Sequence, residues 1–447
     1  MMKPIQVGLL GIGVVGSGTF NVLKRNQEEI KRRAGRGIDI TMVADLNVAR
    51  AQELVGPDVV VVSDARAVIA NPDIDIVIEL IGGYGIAKTL VMEAIAAGKH
   101  VVTANKALLA VHGTEIFAAA SAKGVMVAFE AAVAGGIPII KALREGLTAN
   151  SIQWIAGIIN GTTNFILSEM RDKGLDFGVV LKEAQRLGYA EADPTFDIEG
   201  VDAAHKATLM SAIAFGIPVQ FDKAYVEGIT KLGAADIKYA EQLGYRIKLL
   251  GITKRTPNGI ELRVHPCLIP AKRLIANVEG AMNAVVVQGD AVGTTLYYGK
   301  GAGSEPTASA VIADLVDITR LHTADAAHRV PHLAFQPNAL SDMPVLPMSA
   351  VVTSYYLRLR VADETGVLAK VTGILAEAGI SIDAVLQREA DEIRTESVSG
   401  QLQVPQTDVI ILTHDCVEAR MNAAIAQMQA LPTVLEPITR IRKEELA

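Results

Sequence analysis

Short β-branched runs alternate with helical stretches through the first third of the chain. Ile5–Leu10, Ile38–Ala44, Asp58–Ser63, Ile74–Leu80 and His100–Thr103 read as strands. Gly16–Arg33, Thr89–Ala97 and Thr114–Lys123 read as helices between them. Strands alternating with helices build βαβ units and so a parallel sheet. The middle changes character. Ser151–Ile159 is strand-like and ends in the turn signal Asn160-Gly161, followed by helical patterns at Thr163–Lys173, Phe177–Leu187 and Asp202–Phe215. Strand-rich stretches return at Gly259–Pro266 and Ala284–Gln288, which predicts an α+β unit with a mostly open sheet. A glycine-rich loop, Gly299 to Gly303, leads into a helix at Glu305–Leu321.

Prolines at 331, 337, 344 and 347 mark His322–Ser349 as a linker. Beyond it, Ser354–Val361, Val367–Ala378, Ile380–Arg388, Thr407–Thr413, Glu418–Ala430 and Val434–Ile441 run strand, helix, strand, strand, helix, strand. A βαββαβ order of this length is a ferredoxin-like module.

Composition narrows the class without naming it. The chain has 447 residues, half of them hydrophobic and a fifth charged, an ordinary globular balance. At ~150 residues per domain, that length suggests about three domains. A formal charge of −7 speaks against a nucleic-acid surface. Apolar runs such as Val7 to Val15 are glycine-interrupted and shorter than the ~20 residues of a spanning helix, so no membrane span is expected. No secretory signal pattern precedes the first strand. Two distant cysteines, Cys267 and Cys416, exclude a disulfide framework and suit a reducing cytoplasm.

The first candidate chemistry sits at Gly11-Ile12-Gly13-Val14-Val15-Gly16, between the first strand and the first helix. Gly11 permits a tight turn, Gly13 lets backbone approach a pyrophosphate, and Gly16 permits close helix–strand packing. The helix N-terminus then faces the phosphates. Asp45 ends the second strand, where an acid would bond a ribose 2′-hydroxyl and favour NAD. Arg50 nearby is suited to a 2′-phosphate, or to a solvated helix face. The choice between NAD and NADP stays open.

The second lies between Ala184 and Lys206, where Glu191, Asp193, Asp197, Glu199 and Asp202 precede one lysine. Asp202 and Lys206 are spaced i, i+4 and share a helix face. The apolar continuation Ala207 to Phe215 buries that helix. A buried lysine must be paired or functional. Held by a carboxylate, it can give a proton to a forming alkoxide and take it back. On residue pattern alone, a surface ion pair of little consequence is the competing reading.

The stretch Ala184-x-x-x-Gly188-Tyr189-Ala190-x-x-Asp193-Pro194-x-x-Asp197-Ile198-x-Gly200-x-Asp202-x-x-x-Lys206 resembles the signature of homoserine dehydrogenases at every defined position. Thr103-Ala104-Asn105-Lys106-Ala107 resembles that family's lysine-bearing loop, and Gly157 to Asn164 its catalytic strand and turn. Gly301-Ala302-Gly303-x-x-Pro306-Thr307-Ala308 resembles its late glycine loop. The resemblance implies reversible NAD- or NADP-dependent reduction of aspartate semialdehyde to homoserine. It implies that Lys206 moves the proton, Asp202 orients it and helps hold substrate, and Glu191 binds the substrate's polar groups. Lys106 would lie near nicotinamide and substrate, with Thr103, Gly188 and Gly303 near the cofactor. It further implies a sodium ion at Glu130, Val133, Gly135 and Ile137, a return of the helix after Gly303 onto the nucleotide domain, and a homodimer or homotetramer.

Residues 355–388 resemble an ACT domain. Asp363, Gly366, Val367 and Leu368 form its strand–loop–helix corner, whose free N–H groups suit an amino-acid carboxylate. The resemblance implies threonine as effector, in the threonine and methionine branch of amino-acid biosynthesis.

The expected fold is therefore α/β, with a Rossmann-like parallel sheet over residues 1–134 and a return helix near 304–322. A catalytic and dimerisation domain covers 135–303, a linker 323–349 and the ferredoxin-like ACT module 350–447. Two rivals differ in class. An aspartate-semialdehyde dehydrogenase needs a cysteine nucleophile, and Cys267 shows no activating setting. A non-catalytic amino-acid sensor on a dinucleotide fold would not need Glu191, Asp202 and Lys206 together.

Overall fold

The computed structural model describes residues 3–387 and 405–446. Six parallel strands open the chain: β1 Ile5–Leu10, β2 Ile38–Ala44, β3 Val60–Val62, β4 Ile76–Glu79, β5 His100–Thr103 and β6 Val127–Ala128. Their spatial order is β3-β2-β1-β4-β5-β6, the doubly wound arrangement whose crevice lies at the switch point between β1 and β4. The central strands carry near-continuous β-branched runs because helices cover both faces. The expected helix Gly16–Arg33 is two helices, Val14–Arg25 and Gln27–Ala34, which meet at Asn26.

The second sheet begins with β7 Ile152–Ile158, β8 Tyr225–Val226, β9 Tyr245–Thr256, β10 Gly259–Pro270, β11 Met282–Gly289 and β12 Gly293–Lys300. The helix Val201–Phe215 packs behind β9 and β10, and every residue from Asp202 to Phe215 is buried. The helix Ser304–Leu321 returns to the first sheet and packs along Val14–Arg25. Ser304 Oγ donates to Val14 O at 2.8 Å, and Arg25 makes a forked ion pair with Glu305.

The last module supplies β13 Val352–Ala362, β14 Ile382–Gln387, β15 Gln406–Thr413, β16 Cys416–Val417 and β17 Thr439–Lys443. Its order β17-β13-β15-β14 is ferredoxin-like. The expected strand end at Arg388 lies outside the described residues.

The open sheet expected for the middle of the chain extends further than that region. β17 runs parallel to β10 on one side and antiparallel to β13 on the other. The middle and C-terminal regions therefore share one sheet of eleven strands. The proline-rich connection also joins it, since Ile260 N–H donates to Pro344 O and Leu346 N–H to Ile260 O, both at 2.8 Å. Among the described residues no helix is long and apolar enough to cross a membrane.

Candidate active site

Lys206 sits in the second turn of the buried helix Val201–Phe215 and is 8% exposed. A helix apolar on all sides belongs inside a protein, so a lysine there needs partners. Its Nζ donates to Asp202 Oδ2 at 2.7 Å and to Ile159 O at 2.7 Å. The spacing read from the sequence thus becomes a direct contact.

Lys106 reaches the same carboxylate from the nucleotide side. It opens the helix Lys106–Lys123, whose N-terminus is capped by Asn105 Oδ1 accepting from Leu108 N–H. Lys106 Nζ lies 3.0 Å from Asp202 Oδ1. One carboxylate therefore holds two ammonium groups, one on each oxygen. Burial alone would raise the Asp202 pKa, but Lys206 and Lys106 hold it well below the carboxylate range. Burial lowers the Lys206 pKa, and Lys106 adds to that, against the opposing pull of Asp202. Burial also opposes the charge on Lys106, yet Asp202, Asp197 and Glu191 outweigh it and raise its pKa. The two lysines are driven apart, Lys206 toward an exchangeable proton and Lys106 toward a fixed charge, the pattern expected of an acid–base pair.

Asn160 is the residue that sequence reading saw only as a turn. Its Oδ1 caps the helix Gly161–Lys173 by accepting from Thr163 N–H. Its Nδ2 donates to Asp202 Oδ2 at 2.9 Å and to Asp197 Oδ1 at 2.7 Å. An Asn-Gly pair followed by helix is also a capping signal, which was the available clue.

The glycine loop lies at the carboxyl end of β1, on the same edge of the first sheet as Lys106 beyond β5. Gly11 has φ +90°, and a Cβ there would lie 2.9 Å from Leu80 O. Gly13 has open space where a Cβ would be, and the helix it precedes carries no side-chain cap. Open N–H groups beside a bare backbone are what a pyrophosphate needs, so the loop fits a dinucleotide. Val14 is exposed at the helix start, and Gly303 lies beside it through the Ser304–Val14 contact. Gly188 follows the helix Phe177–Arg186 with φ +78°. Ile12, Val15 and Gly16 complete the loop into the helix Val14–Arg25.

Several expected cofactor residues hold protein atoms. Asp45 Oδ2 accepts from Ile12 N–H and its Oδ1 from Asn47 N–H, each at 2.9 Å. Asp45 thereby fixes the loop, with further lone pairs left for a ribose. The Thr103 hydroxyl donates to buried Glu79 at 2.7 Å, so this side chain supports the site from below. Glu79 was missed by sequence reading. Its other oxygen accepts from Ile81 and Gly82 N–H, which shapes the loop beside the crevice. Arg50 is exposed on the helix Val48–Val55. Glu191 is exposed, in a loop whose backbone accepts from Gln185 Nε2.

The expected cation residues form a compact turn. Ala134 and Gly135 have φ +55° and +48°, and a Cβ on Gly135 would meet Gly301 O at 2.4 Å. The Glu130 carboxylate is committed, accepting from Ile140 and Lys141 N–H at 2.9 and 2.8 Å. The Ile137 carbonyl accepts from Ile139 N–H. Burial pushes the Glu130 pKa up to about 7. Asp314, which accepts from Glu130 N–H, is pushed well above the carboxylate range by burial and then by Glu130 itself. Two buried acids side by side suit a neighbouring cation.

In the C-terminal module, Gly366 has φ +88° and precedes the helix Val367–Glu377, which has no side-chain cap. Asp363 and Leu368 are exposed and Val367 is buried. This corner leaves helix N–H groups and one carboxylate available.

Comparison with known proteins agrees with this geometry. Residues 138–316 match a family model described as homoserine dehydrogenase, and residues 11–130 one described as its NAD binding domain. Residues 355–416 match an ACT domain. The chain is 61% identical over 445 residues to the homoserine dehydrogenase of Pseudomonas aeruginosa, with all of both chains covered. Against that of Neisseria gonorrhoeae it is 57% identical at the same coverage. The crystal structure of a homoserine dehydrogenase from Thiobacillus denitrificans superposes with TM-score 0.94 at 65% identity, covering 100% of this chain and 99% of that one.

Proposed function

This chain belongs to the homoserine dehydrogenase family and is an oxidoreductase of that kind, and from this we propose that it interconverts L-aspartate 4-semialdehyde and L-homoserine with NADP or NAD. The observation that carries the reading is the shared carboxylate, Asp202 between Lys206 and Lys106. When bound, the dinucleotide supplies or accepts the hydride at its nicotinamide. The protein supplies position and charge. Lys206 gives its Nζ proton to the carbonyl oxygen during reduction and takes the hydroxyl proton during oxidation. Asp202 and Ile159 O hold that ammonium in one direction. Lys106 keeps its charge and stabilises the alkoxide as it forms. Glu191 receives the substrate ammonium, and the glycine loop with Gly188 and Gly303 cradles the cofactor.

A sodium ion is assigned to Glu130 and the main-chain carbonyls at Val133, Gly135 and Ile137, as hard oxygen donors suit it. Threonine is the assigned effector, bound at Asp363, Gly366, Val367 and Leu368. We place the chain in the cytoplasm as a homodimer or homotetramer in the threonine and methionine branch. Residues 1–134 with 304–322 carry the dinucleotide, 135–303 catalysis and dimerisation, 323–349 the linker and 350–447 regulation.

The test is dinucleotide reduction on addition of homoserine at alkaline pH. Turnover in the wild type, lowered ~10²-fold or more in Lys206→Ala, supports the assignment. Absence of wild-type turnover with either cofactor rejects it.

A further inference from the structure

The last strand of the chain reaches the catalytic carboxylate through one buried arginine. Arg442 on β17 is fully buried, which an arginine tolerates only when its guanidinium is fully paired. Nε and Nη2 donate to Glu418 at 2.9 and 2.5 Å, on the C-terminal module. Nη1 donates to Glu227 Oε2 at 2.9 Å, on the catalytic side. Tyr225 and Tyr355 donate to Glu227 and Glu418 at 2.6 and 2.7 Å, and Arg440 on the same strand pairs with both acids.

Glu227 stands against the catalytic turn. Its neighbour Gly228 packs so closely that a Cβ there would lie 2.2 Å from Ile198 O and 2.5 Å from Glu199 Cα. Ile229 N–H donates to Ile198 O at 2.8 Å, and Thr230 Oγ1 to Glu199 Oε1 at 3.1 Å. Asp197, one residue before Ile198, is bridged by Asn160 to Asp202. Gly200 and Val201 then begin the helix that carries Asp202 and Lys206. Each step is a direct contact, and none passes through solvent.

We propose that Arg442 and Glu227 are positioning residues for catalysis: β17 presses Gly228 against the Ile198–Glu199 turn and so sets where Asp202 meets Lys206. The C-terminal strand is then part of the catalytic apparatus as well as of the regulatory module. A shift of Glu418 in that module moves the guanidinium that Glu227 depends on. This rests on the reading of Lys206 and Asp202 as the catalytic pair.

The test uses the full-length enzyme carrying Glu227→Gln, Glu418→Gln or Gly228→Ala. Gly228→Ala leaves every ionic partner in place and displaces Ile198 directly. The readout is the pH profile of kcat for homoserine oxidation, beside the thermal midpoint. Lys206 is faced by Asp202, Lys106 and Asp197, and only the carboxylates favour its charge. Loosening Asp202 therefore makes Lys206 a weaker base. The acid limb of the profile is expected to move to lower pH by about half a unit, with kcat reduced severalfold. Glu227→Gln and Gly228→Ala should show this fully and Glu418→Gln in part. An unmoved limb overturns the proposal, whether kcat is kept or falls together with the thermal midpoint. Lys206→Ala at full turnover would instead defeat the underlying catalytic reading.

Discussion

The side-chain amide of Asn160 donates to Asp202 across 2.9 Å while its carbonyl caps the next helix. One residue thus aims the acid that holds Lys206 and starts a separate structural element. The two duties separate by substitution. Asn160→Ala should cost about 1 kcal/mol of stability through the lost cap and lower kcat between ~10- and ~100-fold through misplacement of Asp202. Asn160→Asp keeps a capping oxygen but sets a third carboxylate beside Asp197 and Asp202, so kcat should fall although the cap is kept. Unfolding curves and kcat measured on both variants decide it. Full turnover in Asn160→Asp would show that the amide does not orient the acid.

Lys106 should act on Lys206 through the carboxylate they share. Its charge disfavours protonation of Lys206, so Lys106→Met should make Lys206 a stronger base. The acid limb of homoserine oxidation would move to higher pH, opposite to the direction expected for Glu227→Gln. Turnover should fall by ~10²-fold, the scale of one lost electrostatic donor. A limb that stays in place would separate the two lysines energetically.

Much of this site was legible because it is local. The glycine loop and the Asp202–Lys206 spacing each lie within a few residues, and the periodicity alone placed them on the right elements. What was lost is what tertiary packing supplies. Glu79 becomes a loop anchor only when β4 and β5 pair and bring Thr103 beside it. The final strand was expected at Val434–Ile441 but lies at Thr439–Lys443. Its arginines enter the interior by ion pairing, which hydropathy reads as surface. β9 was passed over for the same reason, since Lys248 is buried with its Nζ on Val278 O at 2.6 Å.

His332 should make stability fall with acid. It is half-buried, stacks on Phe117 and accepts from Val127 N–H, which needs the neutral ring. Burial lowers its pKa from 6.5 to about 4. As pH falls through 6.5 the unfolded chain takes up a proton that the folded chain refuses, so stability drops until about pH 4. The slope from this group is at most ~1.4 kcal/mol per pH unit. His332→Phe removes that dependence while keeping the stack. The wild type's advantage over the variant, measured by denaturant unfolding, should shrink steadily between pH 6.5 and 4. A constant difference across that window would mean that His332 is not held neutral.

The C-terminal corner should respond to an amino acid and leave basal catalysis alone. Asp363 donates its N–H to Pro405 O at 2.7 Å, which fixes the backbone and leaves the carboxylate exposed for an ammonium. Gly366 opens the helix with φ +88°, where a Cβ is strained by roughly 1 kcal/mol and would tilt the N–H groups meant for a carboxylate. Asp363→Ala should raise the threonine concentration needed for half inhibition by about tenfold, the scale of one charge-assisted contact. Gly366→Ala should raise it through the N–H groups instead. Both residues lie outside β17 and outside the Asp236–Arg358 and Tyr239–Asp408 contacts that help join the module to the catalytic region, so kcat and KM without threonine should stay at wild-type values. Titrations of initial rate against threonine test this. Equal loss of inhibited and uninhibited rates would mean that the substitutions disturb folding, and unchanged inhibition would move the effector away from this corner.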